Sequence, residues 1–243
     1  MVSALLAVLG SLGGLIIVWN VGRRAYTRGK SLYHGRLSVD QDWYFSQREV
    51  SEIFLANGRD SYTVHKSTVV SRVSRLESIR TGWGPASSNE ITPAVLEGEI
   101  MLREIPPEPP SGDWKDFSID FKRPLGKGES ASYTIRVFMR ALTHQPGNDR
   151  VTVAIARRVD HLTLRAVFTH PPAGPFYAKV FHLNGDLIDQ RQVAMDIVTN
   201  ECNVTFEQAR PGRVYAIVWD SRSWLLPTGE SSADAVPLLQ NPV

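Results

Sequence analysis

Ala131-Ser132-Tyr133-Thr134-Ile135-Arg136-Val137-Phe138-Met139-Arg140-Ala141 sets Ala131, Tyr133, Ile135, Val137, Met139 and Ala141 at every second position. Successive side chains of a strand point to opposite faces, so this run reads as one strand with one face buried. A helix would space its apolar residues three and four apart. Pro124-Leu125-Gly126-Lys127-Gly128 precedes the run and marks a turn. Before that turn, Trp114 to Phe121 sets Phe117, Ile119 and Phe121 on one face of another strand.

The same period extends in both directions. Glu49 to Leu55 and Ser61 to Val73 flank Ala56-Asn57-Gly58-Arg59-Asp60, and Phe176 to Leu183 and Leu187 to Val193 flank Asn184-Gly185. Asn-Gly accepts positive φ at low cost, so both pairs read as hairpins. Glu97 to Arg103, Val151 to Ile155, Leu162 to Phe168, Val204 to Phe206 and Val214 to Trp219 complete about ten strands. No amphipathic helix separates them, which predicts a mainly β, antiparallel sandwich rather than an α/β fold.

Pro211-Gly212-Arg213-Val214-Tyr215-Ala216-Ile217-Val218-Trp219 resembles the tyrosine corner of fibronectin type III and other immunoglobulin-like domains. The resemblance implies an immunoglobulin-like sandwich with Pro211 and Gly212 in the turn. It also implies that the Tyr215 hydroxyl bonds back to the backbone of that turn. It covers one strand pair, and the Cys-Trp-Cys framework of true immunoglobulins is absent.

The N-terminus follows different rules. Residues 1–22 hold no charged side chain, and as a helix they would reach about 33 Å against a hydrocarbon core of about 30 Å. This predicts a transmembrane anchor of the single-pass, signal-anchor type. A cleaved signal would need basic residues before the apolar core and small residues at its end. Arg23, Arg24, Arg28 and Lys30 all flank the span on its C-terminal side, which predicts an N-terminus outside and a cytoplasmic body. The alternative is an extracellular or periplasmic body. Within the span, Gly10 and Gly14 stand in GxxxG spacing beside Ser3, Ala7 and Ser11, a pattern that lets two helices approach in lipid and predicts a homodimer through the span. A basic and aromatic juxtamembrane segment over residues 23–45, a β domain over 46–226 with a sub-boundary near the Pro-rich 105–113, and a tail over 227–243 complete the expected organisation.

Of 243 residues, 42% are hydrophobic and 21% charged, an ordinary globular balance. Residues 1–30 contain four of the 27 basic residues and no acid, leaving 23 basic against 25 acidic groups in the rest. A body with no basic excess predicts no nucleic-acid partner. Arg72, Arg75 and Arg80, with His65 and Lys66, form its most basic stretch. On a continuous strand Arg72 would face away from Arg75, which argues against one patch and for a charged edge.

No spacing announces chemistry. His34, His65, His144, His161, His170 and His182 stand nine or more residues apart without HxH, HExxH or CxxC, so no metal site is expected. Cys202 is the single cysteine, and Asn203-Val204-Thr205 is a lone glycosylation sequon. Gly126-Lys127-Gly128-Glu129-Ser130 lacks phosphate-loop spacing and leads into a strand, so it reads as a β-turn. Asp113, Asp116 and Asp120 are the nearest thing to a carboxylate group. The expectation is a membrane-anchored protein whose sandwich binds a protein partner as tether, adaptor or assembly subunit. No cofactor and no enzymatic activity are expected. One alternative is a defence or toxin-type effector whose span oligomerises on sensing a ligand, and a second is a surface-anchored hydrolase.

Overall fold

The computed structural model describes residues 42–55, 61–83, 91–106, 115–139, 150–172 and 174–219. The expected anchor, its basic flank and the 227–243 tail lie outside these residues. The described chain is mainly β, with fourteen strands. They are β1 (Trp43–Phe54), β2 (Ser61–Ser71), β3 (Leu76–Trp83), β4 (Ile91–Glu97), β5 (Ile100–Ile105), β6 (Lys115–Leu125) and β7 (Ser130–Met139), followed by β8 (Arg150–Ile155), β9 (Val159–Phe168), β10 (Phe176–His182), β11 (Leu187–Val193), β12 (Met195–Asp196), β13 (Glu201–Ala209) and β14 (Arg213–Val218). No helix long and apolar enough to cross a membrane occurs among them.

They form a seven-stranded sheet in the order β12-β13-β9-β1-β2-β7-β4, a four-stranded sheet β11-β10-β14-β8 and a three-stranded sheet β3-β6-β5. Val204, Leu164, Val50, His65 and Ile135 stand opposite one another in successive strands of the large sheet, so they share one face. Both smaller sheets pack on that face. The four-stranded sheet covers the β9 side, where Phe168 meets Phe176 with ring centroids 5.6 Å apart and Phe206 meets Tyr215 at 4.9 Å. The three-stranded sheet covers the β2 side through Trp83, whose ring lies 5.7 Å from His65. The apolar core runs unbroken under both, from Trp83, Phe117 and Ile119 to Leu164, Ile217 and Trp219.

The antiparallel expectation needs one correction, because β1 and β9 pair in parallel from Phe45↔Val159 to Phe54↔Phe168. Residues 156–158 carry the chain from β8 in the small sheet to β9 in the large one, so β9 sets out from the same end as β1. Parallel neighbours need a long connection, and here it is everything from β2 to β8. The expected strand Glu97 to Arg103 is two strands: Gly98 turns between β4 and β5 at φ +101°, where a Cβ would meet the Ser132 carbonyl oxygen at 2.7 Å. Trp43 and Phe45 belong to β1 and are buried. The Pro-rich stretch near 105–113 joins β5 to β6, which are neighbours in one sheet.

Turn chemistry shows why the chain reverses where it does. Between β10 and β11, Gly185 sits at φ +96° and the Asp186 N–H donates to Asn184 Oδ1 at 3.1 Å. Gly126-Lys127-Gly128-Glu129 is a turn, in which Glu129 Oε2 accepts from the Gly126 N–H at 2.7 Å and Gly128 takes φ +82°. Gly212 takes φ +84°, and the Arg210 N–H donates to Tyr215 Oη at 2.9 Å. Tyr215→Phe removes that acceptor while keeping the buried ring, so a loss of about 1–2 kcal/mol is expected in urea denaturation. An unchanged midpoint would show that water replaces the phenol.

Candidate functional site

Where β1 crosses from one small sheet to the other, the inner face of the large sheet becomes polar. The register of β1 against β2 shifts between Phe45 and Gln47, a bulge centred on Ser46. One extra residue reverses the alternation, so Phe45 and Arg48 point the same way. Arg48 stands opposite Ser67, and Ser67 opposite Tyr133. On β2 the inward residues are Ser61, Thr63, His65, Ser67, Val69 and Ser71, nearly all polar and all buried.

Arg48, His65, Ser67, Thr81 and Tyr133, together with Phe45, Trp83, Ile119 and Ile135, line a cavity of about 10 Å³, room for one water-sized group. The Trp83 Nε1–H donates to His65 Nε2 at 3.0 Å. That bond fixes His65 as an acceptor at Nε2, hence neutral with its proton on Nδ1. Burial first, and the Arg48 charge second, lower the His65 pKa from 6.5 to about 3. Burial also raises the Tyr133 hydroxyl to about 12, against the opposing pull of Arg48 and a hydrogen bond with Ser67. The Arg48 guanidinium, half-buried and 5.0 Å from the Phe45 ring centroid, has its pKa lowered by desolvation. No carboxylate pairs with it among the described residues. The site is thus a cation beside a neutral imidazole and three hydroxyl-bearing side chains, suited to holding an anionic oxygen and unsuited to shuttling protons near neutral pH.

The carboxylates singled out on β6 are committed elsewhere. Asp116 is buried against Arg80, and Asp120 pairs with Arg103 at 3.1 Å and accepts from Ser118. The Arg103 and Ser118 hydrogen bonds hold the Asp120 carboxyl below its usual range. Asp113 lies outside the described residues. Cys202 is fully buried and burial raises its thiol to about 11, so it is an unreactive core residue. His161 reaches Glu207 at 2.5 Å on the outer face of the large sheet, where Arg165 also bridges Glu49 at 3.1 Å and Glu201 at 2.6 Å. Gly10, Gly14, Ser3, Ala7, Ser11, Arg23, Arg24, Arg28 and Lys30 lie outside the described residues, whereas Pro211, Gly212 and Tyr215 form the turn into β14. Among the described residues no three ligating side chains come together to hold a metal ion.

The cavity residues carry no mutual spacing in sequence, since they come from β1, β2, β3 and β7. The one available signal was the run of inward-parity polar residues on β2, and recognising it required the register.

No family model matches the sequence, and no curated protein matches it. Among solved structures the chain is similar to a candidate protease from Parabacteroides distasonis, with a TM-score of 0.48 and 9% identity over 72% of this chain and 40% of that one. It is also similar to an M1 zinc metallopeptidase from Deinococcus radiodurans, with a TM-score of 0.41 and 12% identity over 78% of this chain and 45% of that one. A two-domain M1 zinc metallopeptidase mutant bound to L-tryptophan gives 0.40 and 13% over 73% and 43%. The chain spans about two fifths of the length of these proteins. The expectations of a protein-binding tether or adaptor and of no enzymatic activity are corrected at this point, since these similar chains are described as a candidate protease and M1 zinc metallopeptidases.

Proposed function

We propose that the protein is a membrane-anchored hydrolase of peptides, in which the described β body holds the substrate chain by its carboxylate. Arg48 carries this reading. A desolvated guanidinium with no carboxylate partner among the described residues, beside the hydroxyls of Ser67 and Tyr133, is a receptor for a carboxylate oxygen. The cavity admits one such oxygen and no whole side chain, so a peptide would present its terminal carboxylate there and leave the rest outside. The names of the similar chains supply only the reaction class to be tested. The described residues offer no zinc ligand set, and the role given to Arg48 needs no metal.

Two further readings belong to this proposal. Residues 1–22 anchor the chain with the body cytoplasmic, which the uncharged span and its basic C-terminal flank support. Residues 150–219 form an immunoglobulin-like unit, which the Tyr215 hydroxyl bond and the packing of β11-β10-β14-β8 on β12-β13-β9 support.

The full chain, reconstituted in nanodiscs, should cleave peptides in a mixture followed by mass spectrometry, and should prefer those with a free C-terminal carboxylate over amidated ones. In Arg48→Met the KM for free-carboxylate peptides should rise about tenfold or more with kcat little changed, as removal of uniform binding requires. The absence of cleavage of any peptide, or the same KM for free and amidated peptides, sinks the reading.

A further inference from the structure

We infer that the end of the β body from which β1 sets out is a cationic docking surface for an anionic lipid leaflet. Strand directions gather the loops 72–75, 126–129, 156–158 and 210–212 at this end, and backbone hydrogen bonds stitch them together. Gly128 N–H donates to the Ser71 carbonyl at 2.8 Å, Arg72 N–H to Asp42 at 2.7 Å, Phe45 N–H to Arg158 at 3.0 Å and Gly212 N–H to Ile155 at 3.0 Å. The result is one continuous surface rather than four separate turns. Arg72 and Arg75 are not held on opposite faces as expected of a continuous strand: β2 ends at Ser71, so both lie in the connection to β3, where strand alternation no longer separates them.

These loops and the β14 start carry Arg72, Arg75, Lys127, Arg157, Arg158, Arg210 and Arg213 against Glu129, with Asp42 beside them. Arg75 pairs with Glu77 at 2.7 Å and Arg158 with Asp160 at 2.6 Å. Arg72, Lys127, Arg210 and Arg213 have no ion pair among the described residues. Arg72 lies 5.0 Å from the Tyr44 ring and Arg157 4.5 Å from the Trp43 ring, contacts that hold guanidinium groups at the chain entry. The flanking turns add Glu99 beside Lys122 and Asp186 beside the His182↔Arg213 pair. At the opposite end, the described loops 169–172, 174–175 and 197–200 contain no lysine or arginine. Among the described loops the basic residues are therefore unequally divided between the two ends, and Lys30 of the basic flank lies only twelve residues before Asp42.

A leaflet rich in anionic headgroups attracts clustered Lys and Arg side chains held within a Debye length of it. This inference rests on the reading of residues 1–22 as an anchor, which would deliver this end of the body to the bilayer. The body then lies with its cationic end on the headgroups and its other end turned to solvent, orienting the Arg48 site relative to the membrane.

The test uses the full chain with Cys202→Ser and a single nitroxide at Ser74→Cys or at Val198→Cys. It is placed in nanodiscs of phosphatidylcholine, with or without roughly one third phosphatidylserine, that carry a lipid-borne nickel chelate. Retention in the disc after an alkaline wash reads the anchor, and nickel-induced relaxation of the label reads the surface. Expected is a several-fold rise in relaxation at position 74 on adding phosphatidylserine, with position 198 unchanged. The rise should vanish in about 1 M salt, where the Debye length is about 3 Å, and in Arg72→Glu/Lys127→Glu/Arg210→Glu, whose three side chains are exposed. Failure of retention overturns the anchor and this proposal with it. A retained chain whose position 74 ignores lipid charge overturns the docking surface alone, as does one that keeps an oligonucleotide bound on phosphatidylcholine discs while ignoring phosphatidylserine.

Discussion

At pH 5 the β body is expected to be about 2 kcal/mol less stable than at pH 7, and His65→Gln is expected to abolish most of that difference. The His65 pKa falls from 6.5 to about 3 on folding, first through burial and then through the nearby Arg48 charge. A base whose folded pKa is depressed favours the unfolded chain once it takes a proton. The stabilisation is therefore complete above about pH 6.5, is lost as pH falls through the window below it, and stops falling near pH 3. Protonated Nε2 would point a hydrogen at the Trp83 Nε1–H that now donates to it at 3.0 Å, and Arg48 on β1 would face a second buried cation. The other groups around the ring are the Tyr133 phenol from β7 and Ser67 on β2, and neither carries a compensating negative charge near neutral pH.

The window also separates this effect from ordinary acid unfolding. Asp120, Glu129 and Asp196 have depressed pKa values through hydrogen bonds from Arg103, the Gly126 N–H and the Val198 N–H respectively. Their stabilisation is lost chiefly below about pH 4, where the unfolded carboxylates also protonate. Between pH 7 and pH 5 these three carboxylates therefore contribute little. Gln keeps an acceptor for Trp83 without titrating in this range, so urea midpoints of the variant should stay level across that interval. A wild-type midpoint that is flat from pH 7 to pH 5 would mean that the site opens and hydrates before His65 is protonated.

The sequence announced hairpins and concealed everything that depends on pairing at a distance. β1–β2 and β10–β11 were readable because period-two alternation and a turn of the right chemistry sit side by side along the chain, whereas β6 and β7, each readable as a strand, flank a turn and yet enter different sheets. β3 was not, since Leu76–Trp83 places polar residues on both faces and buries only Leu76, Ile79 and Trp83. The parallel pairing of β1 with β9 leaves no local trace, because its partners are more than a hundred residues apart. β2 inverts the usual rule: its aliphatic Val64 and Val70 are half-exposed on the outer face while Thr63, His65 and Ser67 are buried. Alternation alone would have turned the strand the other way, and a one-residue error exchanges the two faces. For the same reason Arg48, placed inward by the Ser46 bulge, could not be singled out from spacing.

Phe168→Ala is expected to cost about 4 kcal/mol, a large share of the roughly 5–15 kcal/mol that hold a domain folded. Phe168 is 3% exposed at the end of β9. Its ring stacks on Phe54 of β1 at 5.1 Å and 9° and meets Trp219 edge-on at 5.1 Å and 90°. With Phe176 at 5.6 Å, it joins the central strands of the large sheet to the four-stranded sheet. Truncation opens a cavity among three aromatic rings attached to the ends of different strands, and such a site collapses poorly, which places the cost toward the upper part of the usual range. The informative quantity is the shape of the transition. The inner face carries one continuous core, and β1 belongs at once to the β2 hairpin and to the β9 pair. The variant should therefore still unfold in a single step, with circular dichroism of the strands and tryptophan fluorescence moving together at a lower urea midpoint. Two separated transitions, the first assigned to residues 150–219 by hydrogen exchange, would show that the parallel β1–β9 pairing joins two independently stable units. A cost below about 1 kcal/mol would show that Phe54, Phe176 and Trp219 close over the missing ring.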